Sequence, residues 1–190
     1  MARTLCLTAL LAMTIAGPAF AHPGHAESGF LHPLTGADHL LAMVGAGMWA
    51  ALLSTRRPAA ALLVPAAFMA MMAAGAAAGF AGIKLPFSEA GVLASVFMLG
   101  GLVMAAVRLP LATAMLVVGW FAMLHGYAHA SEAPAGDPGR YIMGFLAATA
   151  LLHAVGLGLG KGAQRLVGDL GLRAMGGLIL AGGAYVLVAH

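Results

Sequence analysis

The feature that most constrains this fold is a series of six apolar segments, each close to the ~20 residues that an α-helix needs to cross a bilayer. They lie at residues 34–54, 59–81, 89–107, 111–130, 141–160 and 168–189. Of the 190 residues, 62% are hydrophobic and only 8% are charged, and a soluble domain of this size cannot bury so much apolar surface. The sequence therefore predicts an all-α integral membrane protein with six transmembrane helices.

The first 21 residues have the pattern of a cleaved secretory signal peptide. Arg3 supplies the positive start, residues 5–16 form the apolar core, and Ala19-Phe20-Ala21 is a small–x–small cleavage site. An uncleaved first membrane helix is the alternative, which the short core and Gly17-Pro18 disfavour. We therefore expect residues 1–21 to be removed.

Cleavage would leave residues 22–190 as one transmembrane domain, with its six helices in one compact bundle because the connections between them are short. The only cysteine, Cys6, would leave with the signal, so the mature protein would have neither a disulfide nor a thiolate ligand. The new N terminus would carry His22 and His25 on the outside.

The positive charges divide unevenly between the two sets of alternate connections. One set contains only Lys84 and Arg140, whereas the other contains Arg56, Arg57, Arg108, Lys161 and Arg165. Cytoplasmic loops carry the excess of Lys and Arg. The split predicts a multi-pass protein of the bacterial inner membrane with both mature ends in the periplasm.

The net charge of +3 is scattered over these connections, which predicts the lipid bilayer and not nucleic acid as a partner. The chain contains no G-x-x-x-x-G-K-[ST] nucleotide-binding motif. Any transport would therefore need a gradient or a separate energy-supplying partner. No oligomeric state is predicted.

The stretch HPLTGADH at 32–39 is the first group of chemically active side chains. At about 100° per residue, His32, Thr35, His39 and Met43 share one helical stripe, and Asp38 lies beside it. Ionisable residues inside an apolar span are costly and usually functional. Pro33 and Thr35 also suit the start of a helix. Helix capping, however, explains neither Asp38 nor His39 within the apolar segment. The stretch predicts a metal site.

Two further groups of ionisable residues lie later in the chain. His125, His129 and Glu132 follow the spacing i, i+4, i+7, which suits a divalent ion, although an interfacial polar rim is the alternative. His153 lies near the middle of the fifth apolar segment, where it would be either a path residue or a hydrogen-bonding partner of a neighbouring helix. Together the groups predict a cation path that descends from the periplasm.

The residue types indicate which ion is bound. Imidazole and carboxylate without thiolate favour Ni²⁺, Co²⁺ or Zn²⁺ over Cu(I). Most of the thirteen methionines occupy positions of ordinary apolar filler, and only Met43 is retained as a candidate ligand.

The motifs H-P-x-x-G-x-D-H at 32–39, H-G-Y-x-H-x-x-E at 125–132 and L-H-x-x-G at 152–156, on six apolar segments after a signal peptide, resemble the HupE/UreJ family of nickel permeases. The resemblance implies secondary uptake of nickel, with cobalt as a second candidate, for hydrogenase or urease maturation. It implies a divalent metal ion as substrate and no permanently bound cofactor. It implies that His32, Asp38 and His39 are the key residues of the metal path. The supporting residues that it implies are His125, His129, Glu132 and His153.

Two other classes of function are alternatives: a scaffold or sensor, which fits the same residues equally well, and a hydrolase, which fits them less well. A membrane metal-binding scaffold or sensor would use the same clusters without flux. A membrane metallohydrolase would need a general base, but Gly126 stands where a zincin helix carries its catalytic glutamate.

Overall fold

The structure, a computed structural model, describes residues 29–189. These residues form seven helices and no strand: α1 (His32–Thr35), α2 (Ala37–Ser54), α3 (Ala60–Phe80), α4 (Ser88–Met104), α5 (Leu111–Ser131), α6 (Pro138–Val167) and α7 (Asp169–Ala189). The predicted all-helical class is confirmed. The predicted signal peptide, His22 and His25 lie outside the described residues.

Five of these helices, α2, α3, α5, α6 and α7, are long and apolar enough to cross a membrane. Helix α4 is also apolar but has only 17 residues. It ends at Met104, short of the predicted boundary at 107, because the chain turns at Ala106, which has a φ of 53°. A sixth membrane span over α4 remains a prediction.

The first apolar segment does not begin as one continuous helix. Gly36 has φ −79° and ψ 112°, an extended conformation that separates the four-residue α1 from α2. The Thr35 hydroxyl oxygen lies 3.0 Å from the His32 carbonyl oxygen of its own turn. The prediction that His32, Thr35, His39 and Met43 share one stripe of a continuous helix was therefore wrong. The Thr35 hydroxyl bonds within its own turn, and His32 enters the bundle from α1 and not from α2.

Helix α6 is longer than the predicted segment 141–160. The Asp137 side chain caps its first turn by accepting a hydrogen bond from Gly139 N at 2.8 Å. The helix ends where Gly168 adopts a left-handed φ of 65°. Lys161 and Arg165, predicted to lie in a connection, are in the last two turns of α6.

Helix α2 is the centre of the bundle, since 13 of its 18 residues are buried. Consecutive long helices run in opposite directions, as their short connections predict. The closest approaches, however, join helices that are not consecutive in sequence and run parallel: α2 with α6, and α3 with α5. In each pair a glycine lies directly against the opposite backbone, Gly156 against Val44 and Gly126 against Met72.

Polar contacts tie together the end of the bundle where α4 ends and α7 begins. Arg108 pairs with Asp169, and the Arg173 Nε donates to the Met104 carbonyl oxygen at 3.1 Å. The Trp49 indole donates to the Val107 carbonyl oxygen at 2.9 Å. The Arg173 contact satisfies the carbonyl group of the last residue of α4, and the Trp49 contact satisfies one in the connection that follows.

Candidate metal centre

Three histidines converge at the opposite end of the bundle, where α2 and α6 begin and α5 ends. We call His32, His39 and His129 the histidine triad. One ring nitrogen of each lies within 4.8 Å of the other two. The three histidines come from α1, α2 and α5, so the triad joins two sequence motifs that are about ninety residues apart.

A carboxylate orients His39. The Asp38 Oδ1 lies 2.8 Å from His39 Nδ1 and also accepts the His39 backbone N–H at 2.7 Å. A carboxylate on one ring nitrogen fixes the tautomer and leaves the lone pair on the other. The remaining nitrogen, His39 Nε2, is buried and has no hydrogen-bond partner within residues 29–189. The geometry thus makes Asp38 a positioning residue for His39.

His32 has the same arrangement with a different carboxylate. Its Nε2 lies 2.8 Å from the Glu132 Oε2, just beyond the end of α5. The hydrogen bond from His32 lowers the pKa of the Glu132 carboxyl below its usual value, so this group is ionised at neutral pH. With 24% of its side chain exposed, His32 is the member of the triad that is accessible from outside.

His129 is held by stacking instead of by a hydrogen bond. Its ring lies parallel to that of Phe145, with centroids 4.8 Å apart and an interplanar angle of 8°. The side chain is fully buried, and both ring nitrogens have no partner in the described part of the chain. A buried imidazole in this state is unfavourable unless it accepts or donates to something else, which a metal ion would satisfy.

His125 lies one turn deeper on α5 and beside the triad. Its ring centroid is 5.0 Å from that of His39. The Ser95 hydroxyl donates to the Val92 carbonyl oxygen at 2.6 Å, and since it carries one hydrogen it must accept from His125 Nε2, 2.9 Å away. This leaves the lone pair on His125 Nδ1, another buried nitrogen without a described partner.

His153 and Met43 lie deeper still and outside the triad. The His153 ring packs edge-on against Phe68, with centroids 4.8 Å apart, and Phe68 also contacts His125. Neither ring nitrogen of His153 is paired with any of residues 29–189. The Met43 sulfur lies 3.4 Å from the Thr149 hydroxyl. Both residues were predicted as site residues, and both lie deeper than the histidine triad: Met43 is one turn beyond His39 on α2, and His153 is level with Gly47, one turn further.

The triad has the chemistry of a divalent-ion site. Nitrogen ligands at about 2.0–2.1 Å from a tetrahedral ion lie about 3.3 Å apart, so modest rotations of the rings would close the present spacing. Imidazole nitrogens supply the lone pairs, while the carboxylates of Asp38 and Glu132 together supply two negative charges. Because the described residues contain no cysteine, the donor set suits nickel, cobalt or zinc better than Cu(I).

Sequence reasoning missed Ser95 and Phe145, which orient His125 and His129. A serine in an apolar helix and a phenylalanine about two turns into another carry no signal of this role on their own. The fold alone gives them these partners.

The fold and this cluster define the class of the protein: a multi-pass helical membrane protein with a buried histidine cluster near one end of its bundle. A family model described as "HupE / UreJ protein" matches residues 10–186. The "Protein HupE" of Rhizobium leguminosarum bv. viciae is 40% identical over an alignment of 186 residues, which covers 95% of this chain and 96% of that relative. The chain therefore belongs to the HupE/UreJ family.

No solved structure matches this chain. The family consists of permease-type membrane proteins and not of enzymes, so the metallohydrolase alternative is set aside. Membership gives the chain a role related to nickel or cobalt transport, with a metal ion as substrate.

Proposed function

We propose that this protein is a secondary transporter that takes up Ni²⁺, with Co²⁺ as a second substrate, across the inner membrane to supply hydrogenase or urease maturation. The observation that carries the proposal is the histidine triad. Three imidazoles, two of them oriented by carboxylates, converge inside a bundle of apolar helices. Such a site replaces the hydration shell of a divalent ion, which otherwise prevents the ion from entering a bilayer.

The order of contacts supports a path for the ion. His22 and His25 would collect ions outside, and the partly exposed His32 would pass them to His39 and His129. His125 contacts His39, and Phe68 separates His125 from His153. Each step moves the ion from one set of uncharged nitrogen donors to the next, so no site needs to hold it tightly.

The proposal is tested by uptake of radiolabelled nickel into proteoliposomes. We expect the wild type to take up nickel and the His32→Ala/His39→Ala variant to lose uptake, because two of three ligands are gone. Thr35→Ala is the matched control, since this side chain lies in the same segment but bonds only within its own turn. Cobalt, zinc and copper as competitors rank the substrates. Nickel binding without flux in the wild type would refute transport and favour a scaffold or sensor.

The orientation of the bundle is tested with single cysteines in a Cys6→Ala background. The positive charges predict that the connection containing Lys84 faces the periplasm and that containing Arg57 faces the cytoplasm. A membrane-impermeant maleimide should label Lys84→Cys in intact spheroplasts and should label Arg57→Cys only after permeabilisation. The reverse pattern would place the histidine triad on the cytoplasmic side and contradict uptake from the periplasm.

A further inference from the structure

A second group of donor atoms lies directly below the histidine triad. The sulfur atoms of Met43 on α2 and Met72 on α3 both approach the hydroxyl of Thr149 on α6, at 3.4 and 3.5 Å. All three side chains are fully buried. Three helices thus direct two thioethers and one hydroxyl toward one point, which packing of apolar filler does not require.

The two sulfur–oxygen distances match those between ligands on one ion. At bond lengths of about 2.0–2.4 Å, donors around a tetrahedral ion lie about 3.3–3.9 Å apart. The Thr149 hydroxyl has one hydrogen and can donate to only one sulfur at a time. The other sulfur therefore keeps all of its lone pairs, and rotation of the hydroxyl would free its oxygen as well.

The group formed by Met43, Met72 and Thr149 lies between the histidine triad and His153. Met43 lies one turn beyond His39 on α2, and Thr149 lies one turn before His153 on α6, a rise of about 6 Å in each case. His153 is buried, and neither of its ring nitrogens has a hydrogen-bond partner among the described residues. An ion leaving the triad toward His153 would pass the two sulfurs.

We propose that Met43, Met72 and Thr149 form a second, uncharged coordination site for the transported ion, between the histidine triad and His153. The inference rests on the proposed function and deepens it. Thioethers bind the softer late transition ions and bind Mg²⁺ or Mn²⁺ poorly, so this site selects nickel and cobalt against the hard ions. Because it has no charged ligand, it holds the ion weakly enough to release it, as conduction through successive sites requires.

The test compares the wild type with Met43→Leu/Met72→Leu, a change that conserves volume and removes both sulfurs. We expect nickel uptake to fall by about tenfold or more, the size of effect seen when groups around a metal site are altered. The purified variant should still bind nickel at the histidine triad, which is intact, and should lose only the weaker binding at the second site. Met98→Leu/Met143→Leu is the matched control, because both of these methionines are exposed on the outer surface of the bundle.

Silver(I) provides a readout that does not depend on transport. The purified wild type should bind one equivalent of Ag⁺ more than Met43→Leu/Met72→Leu, because paired thioethers prefer soft monovalent ions. Equal Ag⁺ stoichiometry, or wild-type uptake by this variant, would overturn the second site. A difference in Ag⁺ binding with no nickel flux in the wild type would support the site and refute the transport function.

Discussion

Replacing His129 with alanine is expected to lower nickel uptake by at least about 100-fold, since altering even the residues that orient metal ligands costs about 10–100-fold. His129 is the member of the triad with no other partner: both nitrogens are unpaired among residues 29–189, and the ring is fully buried against Phe145. Unlike His32 and His39, it has no carboxylate that orients its ring. Its nitrogen therefore serves the ion directly in the proposed function.

Two companion variants separate ligand loss from structural damage. His129→Phe keeps an aromatic ring against Phe145 and should be as inactive as His129→Ala, because neither supplies a nitrogen. Asp38→Asn leaves all three ligands in place and should retain measurable uptake, with a higher KM, because His39 loses only its orienting carboxylate. Uptake is measured per amount of protein in the membrane. Uptake by His129→Phe within twofold of the wild type would remove His129 from the path.

The second large effect is expected from Gly126→Ala, which should force α3 and α5 further apart. A Cβ on Gly126 would overlap the Met72 carbonyl oxygen, and Gly75 is in the same position against the Met123 carbonyl. The obstacle is backbone and cannot move aside as a flexible side chain would, so the helices must separate. Overpacking of this kind costs about 1–3 kcal/mol, and here it also displaces the flanking His125 and His129.

The measurement is thermal unfolding of the detergent-purified protein together with nickel binding. Gly126→Ala should unfold at lower temperature and bind nickel more weakly. Gly158→Ala is the matched control, since a Cβ there meets nothing within 4 Å, and it should behave as the wild type or be slightly more stable. Equal unfolding temperatures for the two variants would show that the close approach of α3 and α5 is not needed for stability.

Much of the helical architecture follows from local sequence. Segments of about twenty apolar residues can satisfy their backbone groups in a bilayer only as helices, so the predicted segments match the long helices to within a few residues at most ends. The errors occur where a local conformation intervenes: Gly36 is extended and divides the first segment, and Asp137 begins α6 earlier than the apolar pattern does.

The candidate site could be predicted only in part. Histidines and carboxylates in apolar segments are conspicuous because burial is costly for them, and all of His32, Asp38, His39, His129 and Glu132 were predicted. The role of each residue in the site was not predictable, because it depends on which histidine ring nitrogen faces which carboxylate oxygen. Ser95, Phe145 and Met72 were missed, since in sequence they resemble ordinary residues of an apolar helix.

The sequence by itself determined the class of the protein, its helices and the residue types available to a metal, because hydrophobicity and spacing act within one segment. Only the tertiary structure decided that α2 packs closest against α6 and α3 against α5, pairs that are not consecutive. Those pairings depend on where glycines allow two helix backbones to touch. Such a contact depends on the surfaces of both helices, and the sequence of one segment does not contain it. The contacts between the two pairs then bring His129 to His32 and His39, and the Met72 sulfur to Thr149.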